Sequence, residues 1–404
     1  MSPDVHNPVG PGGPVGRNCR FLFYTNECVG LGHLRRTVSL AHALCELDLG
    51  VTSLIITGAP FAPEQRLPPG VDTVKLPQLG RGADGVHRPH RLEVGLELAR
   101  SLRARLALAA AEGFQPDVAI VDKTPCGLGG ELVPTLEALR RTSCRLVLGL
   151  RDVEDGPEGI RRSWDSRVRE ALARYYDAVL VYGPSSSPDA LDALAWDDLA
   201  VPVHHVGYVG RPVPSEPSPD LPEDYVLVTA GGGADGYRLL ATVLEALAVR
   251  PLDTPTLLVT GPLMPDRDVE LLRRLADGLD ARVEVFRPDM DAVIARARAV
   301  VSMAGYNTVA ELLRARRPAL LVPRDRPSEE QLVRARLVAG TGLAAMLSPD
   351  RLSPRSMRHA LDGLLDAPVP PFDESLYRGA ERAAALLTEL AFRPRPRERL
   401  AAAG

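Results

Sequence analysis

The chain lacks the residues and patterns that mark several large classes of protein. Its five cysteines are odd in number and never form C-x-x-C, which argues against a disulfide framework and a zinc site. No run reaches the roughly 18 apolar residues of a transmembrane helix. Lys75 and Lys123 are the only lysines and the net charge is −4, which argues against a general nucleic-acid binder. These absences favour a cytoplasmic protein with no nucleic-acid partner and no transmembrane segment.

Patterns for metals and cofactors are equally sparse. The pair His87 and His90 lies near carboxylates, but its loop has no recognised ligand spacing. Asp-x-Asp pairs occur at 266–268 and 289–291, where each opens a predicted helix and carboxylates are expected. No G-x-x-x-x-G-K-[ST] motif is present, which disfavours a P-loop kinase. The sequence therefore predicts no metal site and no cofactor.

Length and patterning predict an α/β protein with two Rossmann-like domains. A chain of 404 residues with 45% hydrophobic residues can bury two cores. In both halves, short apolar strands end in polar residues and alternate with helical segments, as in parallel sheets that bind ligands at their carboxyl ends. The expected order is a disordered leader (1–17), a first domain (18–205), a linker (206–222), a second domain (223–370), a helix (371–392) and a tail (393–404).

The most informative pattern lies at residues 299–323, which read as strand, glycine turn, helix and strand. Asn307 or Thr308 is predicted to cap the helix, whose free N–H groups then suit a diphosphate beyond the strand end. Glu311, one turn further, is placed to accept hydrogen bonds from sugar hydroxyls. An ordinary βαβ unit with a polar cap is the alternative interpretation.

A second glycine turn supports the diphosphate interpretation. Gly231, Gly232 and Gly233 follow a predicted strand and precede a helix, which allows the backbone to approach phosphate oxygens. Tight turns need glycine in any case, so this signal is weak alone. Together with the turn at Gly305 it outlines a diphosphate cradle in the second half.

His33 lies at the tip of a glycine loop in the first half and is the candidate general base. A neutral imidazole near pH 7 can take a proton from a hydroxyl. The alternative is a histidine that caps its own loop or the following helix. Glu27 and Asp122 end neighbouring predicted strands, where they either orient His33, bind an acceptor or remain solvated.

The helix predicted from about residue 92 is amphipathic, with one apolar face and one basic face. Two interpretations stand: a solvated polar face over a core-facing stripe, or a helix on a membrane surface near a lipid-linked acceptor. The basic face carries Arg100, Arg103 and Arg105.

Five segments together resemble the two-domain GT-B glycosyltransferases over roughly residues 20 to 365. They are Val29-Gly-Leu-Gly-His-Leu-Arg-Arg36, Gly231-Gly-Gly-Ala-Asp-Gly236, Arg287-Pro-Asp-Met290, Ser302-Met-Ala-Gly-Tyr-Asn-Thr-Val-Ala-Glu311 and Glu330-Gln331. They most resemble the family of the peptidoglycan N-acetylglucosaminyl transferase and the predicted bacterial glycosyltransferases beside it. The resemblance implies two Rossmann-like domains whose parallel sheets face each other across a cleft.

The resemblance also implies residue roles. The first domain is the acceptor side, with His33 as base, and the last helix crosses back onto it. In the second domain, Gly231–Gly233 and Gly305–Thr308 face the diphosphate, Glu311 holds the ribose and Gln331 the donor sugar. Phe286, Arg287 and Met290 line the pocket of the nucleotide base. Helix ends replace a divalent cation in this family, which implies metal-independent, inverting transfer.

One departure limits what the resemblance implies. The first loop reads Gly-Leu-Gly-His rather than the Gly-Gly-His form of the peptidoglycan enzyme, so that enzyme's acceptor does not carry over. The same loop is similar to the UDP-sugar hydrolase of pseudaminic acid synthesis. The leading hypothesis is transfer of a hexosyl unit from a UDP-linked donor to a small-molecule or lipid-linked hydroxyl acceptor. A nucleotide-sugar hydrolase or epimerase, and a silent nucleotide-sugar binding protein, are the alternatives.

Overall fold

The computed structural model describes residues 18–25, 32–47, 50–59, 67–81, 86–186, 201–210, 220–371 and 373–393. The expected leader (1–17) and Glu27 lie outside these ranges. So do residues 211–219 of the expected linker and residues 394–404 of the expected tail. None of the helices within the described ranges is both long and apolar enough to span a membrane.

The first half of the chain folds around a seven-stranded parallel sheet. The strands of this half, including two that lie outside the sheet, are β1 (Arg20–Thr25), β2 (Thr52–Thr57), β3 (Val71–Lys75), β4 (Leu79–Arg81), β5 (His87–Pro89), β6 (Val118–Asp122), β7 (Arg145–Arg151), β8 (Ala178–Tyr182) and β9 (Val203–His205). Its helices are α1 (Gly32–Cys45), α2 (Leu96–Phe114), α3 (Val133–Arg140), α4 (Pro157–Ser163) and α5 (Ser166–Tyr175). The sheet order is β3-β2-β1-β6-β7-β8-β9, while β4 and β5 form a separate antiparallel hairpin.

The second half repeats the plan with a six-stranded parallel sheet. Its strands are β10 (Val226–Thr229), β11 (Thr256–Val259), β12 (Ala281–Glu284), β13 (Ala299–Ser302), β14 (Ala319–Leu321) and β15 (Ala345–Met346). Its helices are α6 (Tyr237–Val249), α7 (Asp266–Ala276), α8 (Met290–Arg296), α9 (Tyr306–Ala315), α10 (Glu330–Gly340) and α11 (Pro354–Leu365). The sheet order is β12-β11-β10-β13-β14-β15.

The central strands are buried on both faces, which explains why their sequences are continuous apolar runs. In β6, Val118 and Ile120 belong to one core cluster, and Ala119 and Val121 to another on the opposite side of the sheet. Successive side chains of a strand point to opposite faces, and helices cover both faces of a parallel sheet. Side chains on both faces of these strands are therefore apolar, and polar residues occur at the strand ends.

The last two helices, α12 (Glu374–Tyr377) and α13 (Gly379–Phe392), return to the first half. Ala383 and Leu387 of α13 are fully buried in the same cluster as Val38 and Ala41 of α1. Gly379 makes the crossing possible, because a Cβ at this position would lie 2.4 Å from the carbonyl oxygens of Gly207 and Tyr208. The end of the described chain is thus packed against the domain where it began.

The prediction that Arg103 lies on a solvated or membrane-facing side of α2 is wrong. Arg103 is 1% exposed, and its Nε and Nη2 donate to Glu131 at 2.7 and 2.6 Å. Its Nη1 donates to the carbonyl of Pro77, and Tyr24 donates its hydroxyl to Glu131. The carboxylate that compensates the Arg103 charge lies 28 residues later in the sequence. The helical spacing of residues in α2 cannot predict such a partner.

Candidate active site

A cavity of about 400 Å³ lies between the two halves. Its walls are formed where strands of both sheets end, including Arg151 at the end of β7, Thr229 at the end of β10 and Met303 after β13. The residues predicted from the sequence that line it are His33, Gly231, Gly232, Gly233, Phe286, Arg287, Met290, Gly305, Asn307, Thr308, Glu311 and Gln331. The structure therefore brings the candidate base and the candidate donor residues to one cavity, while their individual roles remain predictions.

Asp122 lies directly behind His33. His33 is the second residue of α1, which follows β1, and Asp122 is the last residue of the adjacent strand β6. The His33 Nδ1 lies 2.5 Å from Asp122 Oδ2, and because an ionised carboxylate can only accept, we assign the proton of the ring to Nδ1. This assignment places the basic lone pair of the neutral ring on Nε2. A histidine held in this tautomer is equipped to accept a proton from a hydroxyl.

Arg36 completes this cluster and was not recognised as a site residue from the sequence. Its Nη2 lies 2.7 Å from both carboxylate oxygens of Asp122 and 3.0 Å from His33 Nδ1. Its guanidinium carbon lies 5.1 Å from the ring centroids of both Tyr182 and Tyr306. The spacing of His33 and Arg36, which places both on one helical face, was the available sequence signal.

The protonation states follow from burial and these charges. Burial lowers the pKa of His33 below its ordinary value, and the opposing effect of Asp122 is smaller. Burial acts to raise the pKa of Asp122, but Arg36 and His33 together bring it below its ordinary value. At neutral pH the carboxylate is therefore charged and the imidazole is neutral, as a general base requires.

On the opposite wall, α9 begins at Tyr306 with Gly305 as its N-cap and no side-chain cap. The prediction that Asn307 or Thr308 caps this helix is wrong, because the helix starts one residue earlier than expected. Asn307 instead donates from Nδ2 to the carbonyl oxygen of Gly32, at 3.2 Å. The first-turn N–H groups of α9 are thus uncapped by side chains where they border the cavity.

The glycine turn after β10 is built for close backbone packing. Gly233 has φ +94°, and a Cβ there would lie 2.3 Å from the carbonyl oxygen of Thr260. The N–H groups of Gly231 and Gly233 make 3.3 Å hydrogen bonds within the turn, to Thr229 Oγ1 and the Ala230 carbonyl. Glycine at 233 is therefore required for packing against the backbone after β11, and the uncapped amides at the cavity are those of α9.

The predicted base pocket combines apolar and ion-paired residues. Phe286 is 49% exposed and Met290 is buried. Arg287 is buried and donates to three carboxylates; the hydrogen bonds that it donates to Asp220 and then to Asp289 have the largest effects and raise its pKa. The third is Glu284, at 3.3 Å. Its charge is therefore compensated, so that Arg287 shapes the pocket wall without offering a free cation.

Gln331 and Glu311 occupy two further positions on the second-half wall. Gln331 is 9% exposed, and its Oε1 accepts a hydrogen bond from the backbone N–H of Arg324 at 3.3 Å. Glu311 lies on α9, one turn beyond its start, and is partly buried. Within the described ranges, no group of three or more His, Cys, Asp or Glu residues is placed to hold a metal ion.

A buried ion-pair network joins the two halves beside the cavity, and sequence reasoning missed it. Arg334 is fully buried and donates to both oxygens of Asp152 at 2.8–3.0 Å. Its Nη1 also donates to the Ala304 carbonyl at 3.0 Å. Arg151 Nη1 donates to Glu330 Oε1 at 2.7 Å. The two ion pairs join residues that are 182 and 179 positions apart in the chain, which is too far for any local sequence pattern to predict.

Comparison with known proteins places these features in a family. Residues 225–386 match the model of the glycosyltransferase family 28 C-terminal domain. The chain is 30% identical over 326 residues to the UDP-N-acetylglucosamine--N-acetylmuramyl-(pentapeptide) pyrophosphoryl-undecaprenol N-acetylglucosamine transferase of Novosphingobium aromaticivorans, covering 78% of this chain and 74% of that protein. It is 28% identical to the enzyme of the same name from Rhodopseudomonas palustris, covering 65% and 68%.

Solved structures agree at the level of the fold. MurG of Acinetobacter baumannii is 16% identical and superposes with a TM-score of 0.53, covering 91% of this chain and 95% of that one. Phytolacca americana UGT2, solved with UDP-2-fluoro-glucose and pterostilbene, is 16% identical with a TM-score of 0.58, covering 92% and 94%. The predicted two-domain α/β fold is confirmed, and the chain belongs to the GT-B glycosyltransferases of the peptidoglycan N-acetylglucosaminyltransferase-like family.

Proposed function

We propose that this glycosyltransferase is a cytoplasmic, metal-independent, inverting hexosyltransferase. It moves the sugar of a UDP-linked donor to a hydroxyl acceptor held between the two halves. The observation that carries the proposal is the His33–Asp122 pair, in which His33 borders the same cavity as the uncapped start of α9. The donor named for the relatives is UDP-N-acetylglucosamine, which supports a UDP-linked donor here.

In the proposed reaction, the acceptor oxygen attacks the anomeric carbon while its proton passes to His33 Nε2. The bond between the anomeric carbon and the diphosphate oxygen breaks, and the nucleoside diphosphate leaves. The base belongs to the first-half wall, and the diphosphate is assigned to the second-half wall at Gly305 and the glycine turn. Attack therefore comes from the side opposite the leaving group, and the anomeric configuration is inverted.

The start of α9 supplies positive potential for the leaving diphosphate. The N-terminus of a helix carries about half a positive charge and open N–H donors, each such interaction contributing about 0.3–1 kcal/mol, and more when partly buried. Donors aimed at a developing negative charge act in the transition state without reorganising. We therefore expect the rate to stay the same with chelator or with added Mg²⁺; a rate that depends on Mg²⁺ would overturn metal independence.

An exposed apolar surface on the first half supports a lipid-linked acceptor. Five large hydrophobic residues are exposed by 38–62% within one short stretch at β5 and α2, namely Val86, Leu92, Val94, Leu98 and Leu102. Arg91 and Arg105 are exposed in the same segment. Exposed apolar side chains close to exposed arginines suit an anionic lipid surface. Sedimentation with anionic vesicles tests this: Leu98→Glu should abolish binding, whereas Val249→Glu, an exposed residue of α6, should not.

Two measurements test the central assignment. Calorimetric titration with UDP, dTDP and GDP should show tightest binding of UDP. His33→Ala should lower kcat by about 10²- to 10⁴-fold with UDP affinity retained, whereas His42→Ala, on the same helix, should not. Wild-type turnover by His33→Ala would refute the base assignment. Release of free sugar without any acceptor would instead identify a nucleotide-sugar hydrolase.

A further inference from the structure

The start of α9 contacts the first half at the residues that surround the candidate base. Asn307 Nδ2 donates to the carbonyl of Gly32, the residue directly before His33. The ring of Tyr306 lies 5.1 Å from the guanidinium of Arg36, which in turn contacts the His33 ring. The turn assigned to the donor diphosphate is thus in direct contact with both the backbone and the charge partners of the base.

Arg36 has little freedom to move while Tyr306 is in place. It is 2% exposed and lies between two aromatic rings, Tyr182 from the first half and Tyr306 from the second. Its Nη2 donates to both oxygens of Asp122. Removing one ring frees one side of the guanidinium, so the Asp122 carboxylate loses its fixed partner and His33 loses a fixed Asp122.

Tyr306 is itself firmly held. Its hydroxyl accepts a hydrogen bond from the Val209 N–H at 2.9 Å. Its ring lies 5.8 Å from the Tyr208 ring and 5.6 Å from the guanidinium of Arg334. Arg334 also binds the Ala304 carbonyl and the carboxylate of Asp152. The position of the Tyr306 ring is therefore set by the docking of the second half on the first.

We propose that Tyr306 and Asn307 are positioning residues that align the His33 base from the opposite domain. The proposal rests on His33 being the base. The His33 ring is then correctly oriented only when the donor-binding turn is docked on the first half. The aligned base and the donor site therefore form at the same time. The Asn307 side chain then holds Gly32, the residue before the base, and does not cap α9 as the sequence predicted.

The test separates the aromatic ring from the hydroxyl. Tyr306→Phe keeps the ring over Arg36, whereas Tyr306→Leu removes it. We expect Tyr306→Leu to lower kcat by about 10- to 100-fold, the scale of a small misplacement of a catalytic group, with the dissociation constant for UDP unchanged. Tyr306→Phe should retain most of kcat. Asn307→Ala should lower kcat in the same way, again without weakening UDP binding.

A double-mutant cycle shows whether Tyr306 acts through the base. If it does, His33→Ala with Tyr306→Leu loses no more activity than His33→Ala alone. Independent, multiplying losses would overturn the positioning role. Tyr377→Leu, which removes a buried ring away from the cavity, controls for general loosening and should leave kcat intact. Thermal unfolding of each variant verifies that it is folded.

The same variants separate this inference from the proposed function. If His33→Ala loses activity while Tyr306→Leu and Asn307→Ala keep wild-type kcat, positioning by the second half is refuted and the base assignment stands. If His33→Ala keeps wild-type kcat, both fail. A weakened affinity for UDP in Tyr306→Leu would show that the ring serves donor binding instead, which also refutes the inference.

Discussion

Replacing Asp122 by Asn is the most informative single change in the site. The substitution preserves shape but removes the negative charge that faces Arg36 and His33, and replaces one carboxylate oxygen by an NH₂ donor. An amide can present N–H to Nδ1, which stabilises the tautomer with its proton on Nε2. That tautomer cannot accept a proton from a hydroxyl, so kcat should fall by the full general-base contribution, about 10²- to 10⁴-fold.

The same change has a cost in stability. Arg36 and Asp122 are 2% and 3% exposed, and removing one partner of a buried ion pair costs about 3–5 kcal/mol. Asn retains one oxygen acceptor, so Asp122→Asn should lose less of the free energy of unfolding than Asp122→Ala. The folded-state pKa of Asp122 lies below its ordinary value of 3.8. The carboxylate therefore stabilises the fold above that pH, and the advantage of wild type shrinks as pH falls below it.

The assay combines initial rates with UDP calorimetry and chemical denaturation. The expected result for Asp122→Asn is a large loss of kcat, an unchanged dissociation constant for UDP and a smaller loss of stability than in Asp122→Ala. Near-wild-type kcat in a folded Asp122→Asn protein would refute the reasoning, because the tautomer of His33 would then be irrelevant. Loss of UDP binding would indicate that Asp122 acts on the donor.

Three further predictions follow from separate features. Gly233→Ala should weaken UDP binding and lower the free energy of unfolding by about 1–3 kcal/mol, because the new Cβ would collide with the Thr260 carbonyl oxygen. The control is Gly278→Ala, since Gly278 has a similar φ but no neighbouring atoms; it should leave UDP binding unchanged. Arg334→Met should lower the free energy of unfolding by about 3–5 kcal/mol by leaving Asp152 unpaired, measured by denaturation in urea. The pKa of His33 lies below its ordinary 6.5, so kcat should be insensitive to pH above 6.5 and fall only at lower pH; an acid limb above 6.5 would contradict this.

Much of the fold was predictable because its signals are local. The strand predicted at 118–121 is observed at Val118–Asp122, and the glycine turns at 231 and 305 do join strands to helices. Apolar runs, glycine positions and helical spacing each involve only a few neighbouring residues, so they can be recognised within one short segment of the sequence. The edge strands β3 and β15 were missed, since partly exposed residues at the edge of a sheet give no continuous apolar run.

By itself the sequence predicted the fold class from its periodicity, and the resemblance of its motifs to a known family predicted the family and twelve of the residues that border the cavity. Only the tertiary structure decided which partners those residues have. Asp122 came to lie behind His33, Arg36 between two tyrosines, Asn307 on Gly32, and Arg334 on Asp152. The physical reason is that a buried charge needs a compensating partner close to it. That partner is brought there by the order of the strands and the docking of the two halves, and it is too distant in the chain for a local sequence pattern to predict.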